Sequence, residues 1–211
     1  MFDPDYPKAT VIPAYTGNYG YQGMWNQPKA IVLHTPEEPA DNWESTPYWF
    51  QNPNAHVSTH YYLDNDGDVI QMVPEVQGAY AQGVRSHQRM WKGIANQLPP
   101  WAEDSNLNLW AISIEMEGYA ATIHRTMPRG GVQWLSLLAW IQYVTSKYDI
   151  PIDRDHIVGH DEIASHKRDP GITFNWEGLI EDLNSRNNLL STLQKARDEL
   201  DIAIELVERG A

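Results

Sequence analysis

The sequence predicts an α/β fold, a central mixed β-sheet flanked by helices, with a further C-terminal helix. Three features predict it. Residues 30–33 (Ala-Ile-Val-Leu) and the start of 109–117 are short apolar runs with the length of buried strands. Residues 64–67 (Asp-Asn-Asp-Gly) form a turn signal between two strand-like segments, 57–63 and 69–73, and read as a hairpin. Trp134, Leu135, Leu138, Ile141, Thr145 and Tyr148 fall at helical spacing, which makes 132–148 an amphipathic helix laid on the sheet.

Taken in order, residues 1–28 are rich in Pro, Gly, Tyr and Asn and read as an irregular arm. Residues 42–51 are expected as a short helix capped by Asp41, followed by a turn at 52–55. Residues 78–108 are largely polar, contain Pro99 and Pro100, and read as a long loop with a short helix near 86–91. Loops of this length are uncommon unless functional, so this one is expected to wall a groove. A strand over 109–117, a loop over 119–129, the 132–148 helix and a short strand at 157–158 follow. A helix over 176–183 closes a domain spanning 1–184. The tail, 185–210, is a separate amphipathic helix, because Leu189, Leu193, Ala196, Leu200, Ala203 and Val207 recur at 4-3-4-3-4 intervals. That seam needs cover, from the parent domain or from the same helix of a second copy in a homodimer.

Composition narrows the function. The chain has 211 residues, 42% of them hydrophobic, which suffices for a real core. Its net charge of −13 argues against non-specific nucleic-acid binding, which needs a basic footprint. Nine Trp and eleven Tyr are read first as core, with stacking on sugar rings as the alternative. There is no cysteine, hence no disulfide framework. No run reaches the ~18 apolar residues of a membrane span, so no membrane association is expected. The first residues lack a basic and an apolar signal region, so a chain made in the cytoplasm without a signal peptide is expected.

Residues 158–171 concentrate metal-binding groups: His160, Asp161, Glu162, His166 and Asp169, with Lys167 among them. Zn²⁺ favours imidazole and carboxylate ligands, and a catalytic site keeps three of them and one open position. One His and one Asp of this loop could supply two. His34, at the C-terminal end of the 30–33 run, stands where α/β sheets place functional groups. Residues 111–118 (Ala-Ile-Ser-Ile-Glu-Met-Glu-Gly) add two carboxylates on another strand.

These segments, 31–35, 56–75, 111–118 and 159–171, resemble in order and spacing those of the zinc-dependent N-acetylmuramoyl-L-alanine amidases. That family includes phage endolysins, bacterial autolysins and the related peptidoglycan recognition proteins, and the resemblance runs from about residue 28 to 176. It implies an amidase-like fold for 1–184 and one Zn²⁺ per chain held by His34, His160 and Asp169. It further implies Glu115 as the catalytic carboxylate and Lys167 as the cation facing the developing oxyanion. The substrate it implies is peptidoglycan or a muropeptide, cleaved between N-acetylmuramic acid and L-alanine. The expected setting is a phage endolysin acting on the bacterial wall from the host cytoplasm. The alternatives are a cytoplasmic muropeptide-recycling amidase, or a non-catalytic peptidoglycan-binding protein, which would typically lack a metal ligand.

Other residues carry plainer expectations. His60 supports the site or fills the core. Glu117, two residues from Glu115, is expected on the same face, where it could hydrogen-bond a ligand histidine. His166 is the best alternative ligand, and His56, His87, His124 and His156 are surface residues. Asp161 and Glu162 cap or solvate their loop. Residues 79–83 (Ala-Tyr-Ala-Gln-Gly) lack a histidine that relatives often carry there, and 85–108 reads as an insertion able to alter substrate choice.

Overall fold

A computed structural model describes residues 2–20, 26–39, 41–84 and 86–210. It comprises two compact units, one through Asn175 and one from Trp176. The first is built on a six-stranded mixed sheet. Its strands are β1 (Thr10–Val11), β2 (Ala30–His34), β3 (Tyr61–Leu63), β4 (Val69–Gln71), β7 (Ala111–Met116) and β8 (Ile157–Gly159), in the order β1-β4-β3-β7-β2-β8. All neighbours run parallel except the β3–β4 hairpin. Every residue of β2 is buried, as its unbroken apolar run requires of an interior parallel strand. The expected strands are shorter than their apolar runs, because 57–60 and 72–73 leave the ladder.

The helix α3 (Val132–Tyr148) has the expected bounds, but its buried face is rotated. Leu137, Trp140 and Val144 join Trp134, Leu138 and Ile141 inside, while Leu135 is exposed. Trp140 meets Tyr61 of β3 edge-on, ring centroids 5.1 Å apart, which fixes the helix against the sheet. Gln133, buried at its first turn, donates to the carbonyls of Leu63 and Glu117.

The N-terminal arm is less irregular than its composition suggests. β1 adds a parallel edge strand beside β4. Glu75 is fully buried and accepts from Tyr61 Oη (2.6 Å), Tyr148 Oη (2.7 Å) and Lys147 Nζ (2.6 Å). Asp5 accepts from Gln71 and from the Glu75 amide, and pairs with Lys147 at 3.2 Å. This network ties the arm to α3 and accounts for a buried carboxylate that would otherwise be costly.

Four further expectations need correction. The helix α1 is Ser45–Gln51, and Asp41 does not cap it, because residues 42–45 form a turn in which the Ser45 amide donates to the Asn42 carbonyl. The 86–108 stretch holds a hairpin, β5 (Met90–Trp91) and β6 (Ile94–Ala95), closed by Lys92 and Gly93, both at positive φ. That is the two-residue primed turn that suits strand twist. Trp91, Trp101, Leu107 and Trp110 form a core cluster beneath it with Val32 and Val158. The 119–129 loop contains a helical turn, α2 (Ile123–Thr126).

The second unit is one continuous helix, α5 (Trp176–Gly210), rather than a closing helix plus a separate tail. Residues 184–188 (Asn-Ser-Arg-Asn-Asn) are modest helix formers but include neither Pro nor Gly, so nothing stops the helix there. Leu179 and Leu183 are buried; Leu189, Leu193, Leu200 and Ile204 are exposed. The seam positions Ala203 and Val207 lie outside the described side chains.

Candidate metal centre and catalytic cleft

Three adjacent strands of the sheet, β7, β2 and β8, end at one place. His34 is the last residue of β2 and pairs in register with Glu115 of β7. Leu33 pairs with Gly159 of β8, so His160 emerges beside His34 at the start of α4 (His160–Ile163). The carboxyl ends of parallel strands thus gather residues far apart in the chain, the usual ligand position of such sheets.

The backbone then returns Asp169 to the same point. The Asp161 amide donates to the Asp169 carbonyl at 2.9 Å, closing the 160–169 loop. Gly171 (φ +111°) makes that return possible. A Cβ there would stand 2.0 Å from the Ala120 carbonyl oxygen, closer than any side chain allows.

His34 Nδ1, His160 Nδ1 and Asp169 Oδ2 form a triangle with edges of 2.9, 3.0 and 3.1 Å. His160 Nε2 lies 2.7 Å from the Gln82 carbonyl, which can only accept, so Nε2 carries a proton, and in the neutral ring Nδ1 presents a lone pair. Burial, reinforced by His160, lowers the His34 pKa to about 4, against the pull of Asp169, and favours the neutral form of this ring. For Asp169, burial opposes charge, but the two imidazoles facing its carboxyl, His160 first and His34 second, outweigh it and hold the carboxyl below its ordinary range.

With both rings neutral, protons cannot satisfy this triangle. Even with one on His34 Nδ1, the contact between His160 Nδ1 and Asp169 Oδ2 sets acceptor against acceptor. A cation at the centre satisfies all three donors at once. Tetrahedral zinc with ligands at ~2.0–2.1 Å separates donor atoms by about 3.3–3.4 Å, so the triangle is slightly contracted but of the right kind. His34, His160 and Asp169 are the one such group among the described residues.

Around the triangle lies a cleft of about 440 Å³, and Glu115 and Lys167 both line it. Glu115 Oε2 is buried without a hydrogen-bond partner. Its pKa stands well above the ordinary value, through burial first and the Asp169 charge second, with Lys167 opposing. Trp49, Phe50 and Val57 add an apolar lining. Trp49 is 49% exposed, so its aromatic face is open to a ligand.

The structure separates the remaining candidates. Glu117 is not beside a ligand histidine. It lies past the end of β7, where its carboxylate accepts the Asn42 and Asn65 amides and anchors two loops. His60 fills the core as expected. Its Nδ1 accepts the Ser113 amide and its Nε2 bonds the Gln77 carbonyl. His166 lines the cleft but stands outside the triangle. Glu162 caps α4 by accepting the Gly159 amide.

Two contributions were not visible in the sequence. Gln82 acts through its backbone carbonyl, which leaves no residue-type signal. The β5–β6 hairpin, expected as loop with a short helix near 86–91, braces the 160–169 loop. Lys92 N–H donates to the Glu162 carbonyl (2.8 Å), Ser165 N–H donates to the Gln88 carbonyl (2.9 Å), and Arg89 bridges to Ala164.

Residues 24–172 match the sequence profile of the N-acetylmuramoyl-L-alanine amidase family. The chain is 28% identical over 184 residues to N-acetylmuramoyl-L-alanine amidase A of Achromobacter lyticus, spanning 85% of this chain and 96% of that protein. It is 28% identical over 134 residues to the 1,6-anhydro-N-acetylmuramyl-L-alanine amidase AmpD of Enterobacter cloacae, spanning 63% of this chain and 60% of that one. Among solved structures, an AmpD crystal structure superposes with a TM-score of 0.59 at 24% identity, covering 85% of this chain and 97% of that one. The Escherichia coli amidase AmiD, in complex with anhydro-N-acetylmuramic acid-L-Ala-D-γ-Glu-L-Lys, gives 0.55 at 24% identity, covering 76% and 59%. With the family profile matched from residue 24 to 172, this chain is a member of the N-acetylmuramoyl-L-alanine amidase family.

Proposed function

We propose that this chain is a zinc amidase that hydrolyses the amide between the lactyl group of N-acetylmuramic acid and L-alanine in peptidoglycan. The observation that carries the reading is the lone-pair triangle of His34, His160 and Asp169 with Glu115 in register beside it. These three residues would hold one Zn²⁺. When bound, it polarises the amide carbonyl and lowers the pKa of the attacking water. Glu115 takes a proton from that water and delivers it to the leaving nitrogen. Its raised pKa suits a group that must both accept and return a proton. Lys167 faces the carbonyl oxygen and balances the charge that develops there.

The substrate class follows the relatives: an N-acetylmuramoyl peptide whose stem begins L-Ala-D-γ-Glu. Mass spectrometry of digested peptidoglycan tests the reaction. A free lactyl carboxyl together with a new L-alanine amine is the expected product pair; intact muramoyl–alanine bonds with any other cleavage would overturn it. The endolysin role expected from sequence requires turnover of intact sacculi. The AmpD relatives, named for 1,6-anhydro-muramyl substrates, favour a second reading, hydrolysis of soluble muropeptides. Rates on sacculi and on a soluble anhydromuropeptide, compared at equal muramoyl concentration, decide between the two.

The exposed Leu189, Leu193 and Leu200 support pairing of α5 with a second copy. Light scattering of the full chain and of a chain ending at residue 186 tests this: a dimer that becomes a monomer is the expected result.

A further inference from the structure

The chain is strongly acidic, with a net charge of −13, yet its cleft carries three consecutive basic residues, His166, Lys167 and Arg168. Four cations elsewhere are paired. Lys29, Lys92, Lys147 and Arg154 each meet a carboxylate. None of the described ion pairs or hydrogen bonds involves the side chain of Lys167 or Arg168. Lys167 has a task in the proposed reaction, but Arg168 has none. An exposed arginine in a catalytic cleft, unpaired in a chain with this excess of carboxylates, offers its planar fork to an anion from outside. A carboxylate fits that fork with two parallel hydrogen bonds.

Resting on the proposed substrate class, we infer that Arg168 reads the free α-carboxylate of the second stem residue. A γ-linked D-glutamate leaves that carboxylate unblocked. Counted along an extended peptide at ~3.3–3.6 Å per residue, it lies about 7 Å from the scissile carbonyl. Arg168 stands one residue, about 3.8 Å between Cα atoms, from both Lys167 and Asp169, the two neighbours assigned to that carbonyl and to the metal. A three-carbon stem ending in guanidinium covers the remaining distance. Amidation of the same carboxylate, giving D-isoglutamine, removes the charge and half of the fork's acceptors. Arg168 thereby makes this amidase selective for stems that are not amidated.

The test uses the zinc-loaded full chain and two soluble substrates, N-acetylmuramoyl-L-Ala-D-γ-Glu-L-Lys and its D-isoglutaminyl counterpart. Hydrolysis and calorimetric binding are measured for both. The wild type is expected to prefer the free carboxylate on the order of fivefold in kcat/KM, carried by KM and weakening as salt is raised. Arg168→Gln should bring the ratio close to one, and Arg168→Lys should leave it between the two. Circular dichroism and zinc content of each variant check that fold and metal are intact. Cleavage of both substrates at equal rates by the wild type, or a preference that survives Arg168→Gln, would overturn the assignment to Arg168 and leave the amidase reading standing. If neither substrate were bound or cleaved, both readings would fall together.

Discussion

His34 and Glu115 sit opposite one another in register on the parallel strands β2 and β7, eighty-one positions apart in the chain. The proposed metal ligand and the proposed proton carrier are thus set side by side by the backbone ladder itself, before any side-chain contact is made. The spacing between them depends on strand pairing and is insensitive to changes in the loops above.

Glu115→Gln keeps the shape of the side chain and removes its proton-accepting capacity. Zinc content should stay at one per chain while kcat falls by ~10²–10⁴-fold. Metal analysis and steady-state kinetics on the same preparation check this; a rate within a factor of a few of wild type would reassign the proton transfer to another group.

The triangle of His34, His160 and Asp169 holds opposed lone pairs together, so it gains stability when a cation enters. Zinc present at a hundred times its dissociation constant should add about 2.7 kcal/mol to the folded state. Chelation should lower the melting temperature and re-addition of Zn²⁺ restore it. His34→Ala should abolish both the metal content and this response.

Gly171→Ala places a methyl group where the Ala120 carbonyl already stands, at a φ that L residues rarely adopt. A loss of about 2–4 kcal/mol is expected, read as a lowered urea midpoint. Because Asp169 is two residues away, zinc affinity should weaken in the same variant. Gly93→Ala is the control for positive φ alone, since its added carbon meets no atom within 4 Å.

The Asp5–Lys147–Glu75 network sets two pH limits on stability. Burial of Asp5 opposes its charge, but the Glu75 amide, Gln71 and Lys147 outweigh it, and its folded pKa lies below the unfolded 3.8. Its contribution is complete above that value and is lost as pH falls through the lower folded one. Lys147 is the mirror case. Partial burial opposes its charge, Glu75 and Asp5 outweigh burial, and its folded pKa lies above 10.5. Its contribution is complete below 10.5 and is lost as pH rises through the folded value. Urea midpoints across pH should therefore show a plateau with a fall at each end. Lys147→Met should flatten both falls and lower the plateau.

Much of this was legible in the sequence because the signals were long or chemically specific. The period of 132–148 gives the bounds of α3 to the residue, and the apolar run at 30–33 locates β2 with His34 at its carboxyl end. The rotated face of α3 escapes a one-stripe pattern because Leu137 and Trp140 stand outside the stripe of Trp134, Leu138 and Ile141, and a helix covering a sheet buries a wider arc. The β5–β6 hairpin escaped because its strands are two residues long and its turn is Lys-Gly rather than Asn-Gly. Glu117 was placed by strand alternation, but β7 ends at Met116 and alternation ends with it.

The parallel pairing of β2 with β7 and β8 also orders events in time. His34 and His160 are separated by 126 positions, and neither meets the other until those strands have closed. Contacts of such long sequence separation form late and slowly. A metal bound by the proposed triangle would therefore enter a chain already folded around its seat. Zinc should leave the refolding rate of the chain almost unchanged and act on the reverse process, lengthening the lifetime of the native state against unfolding.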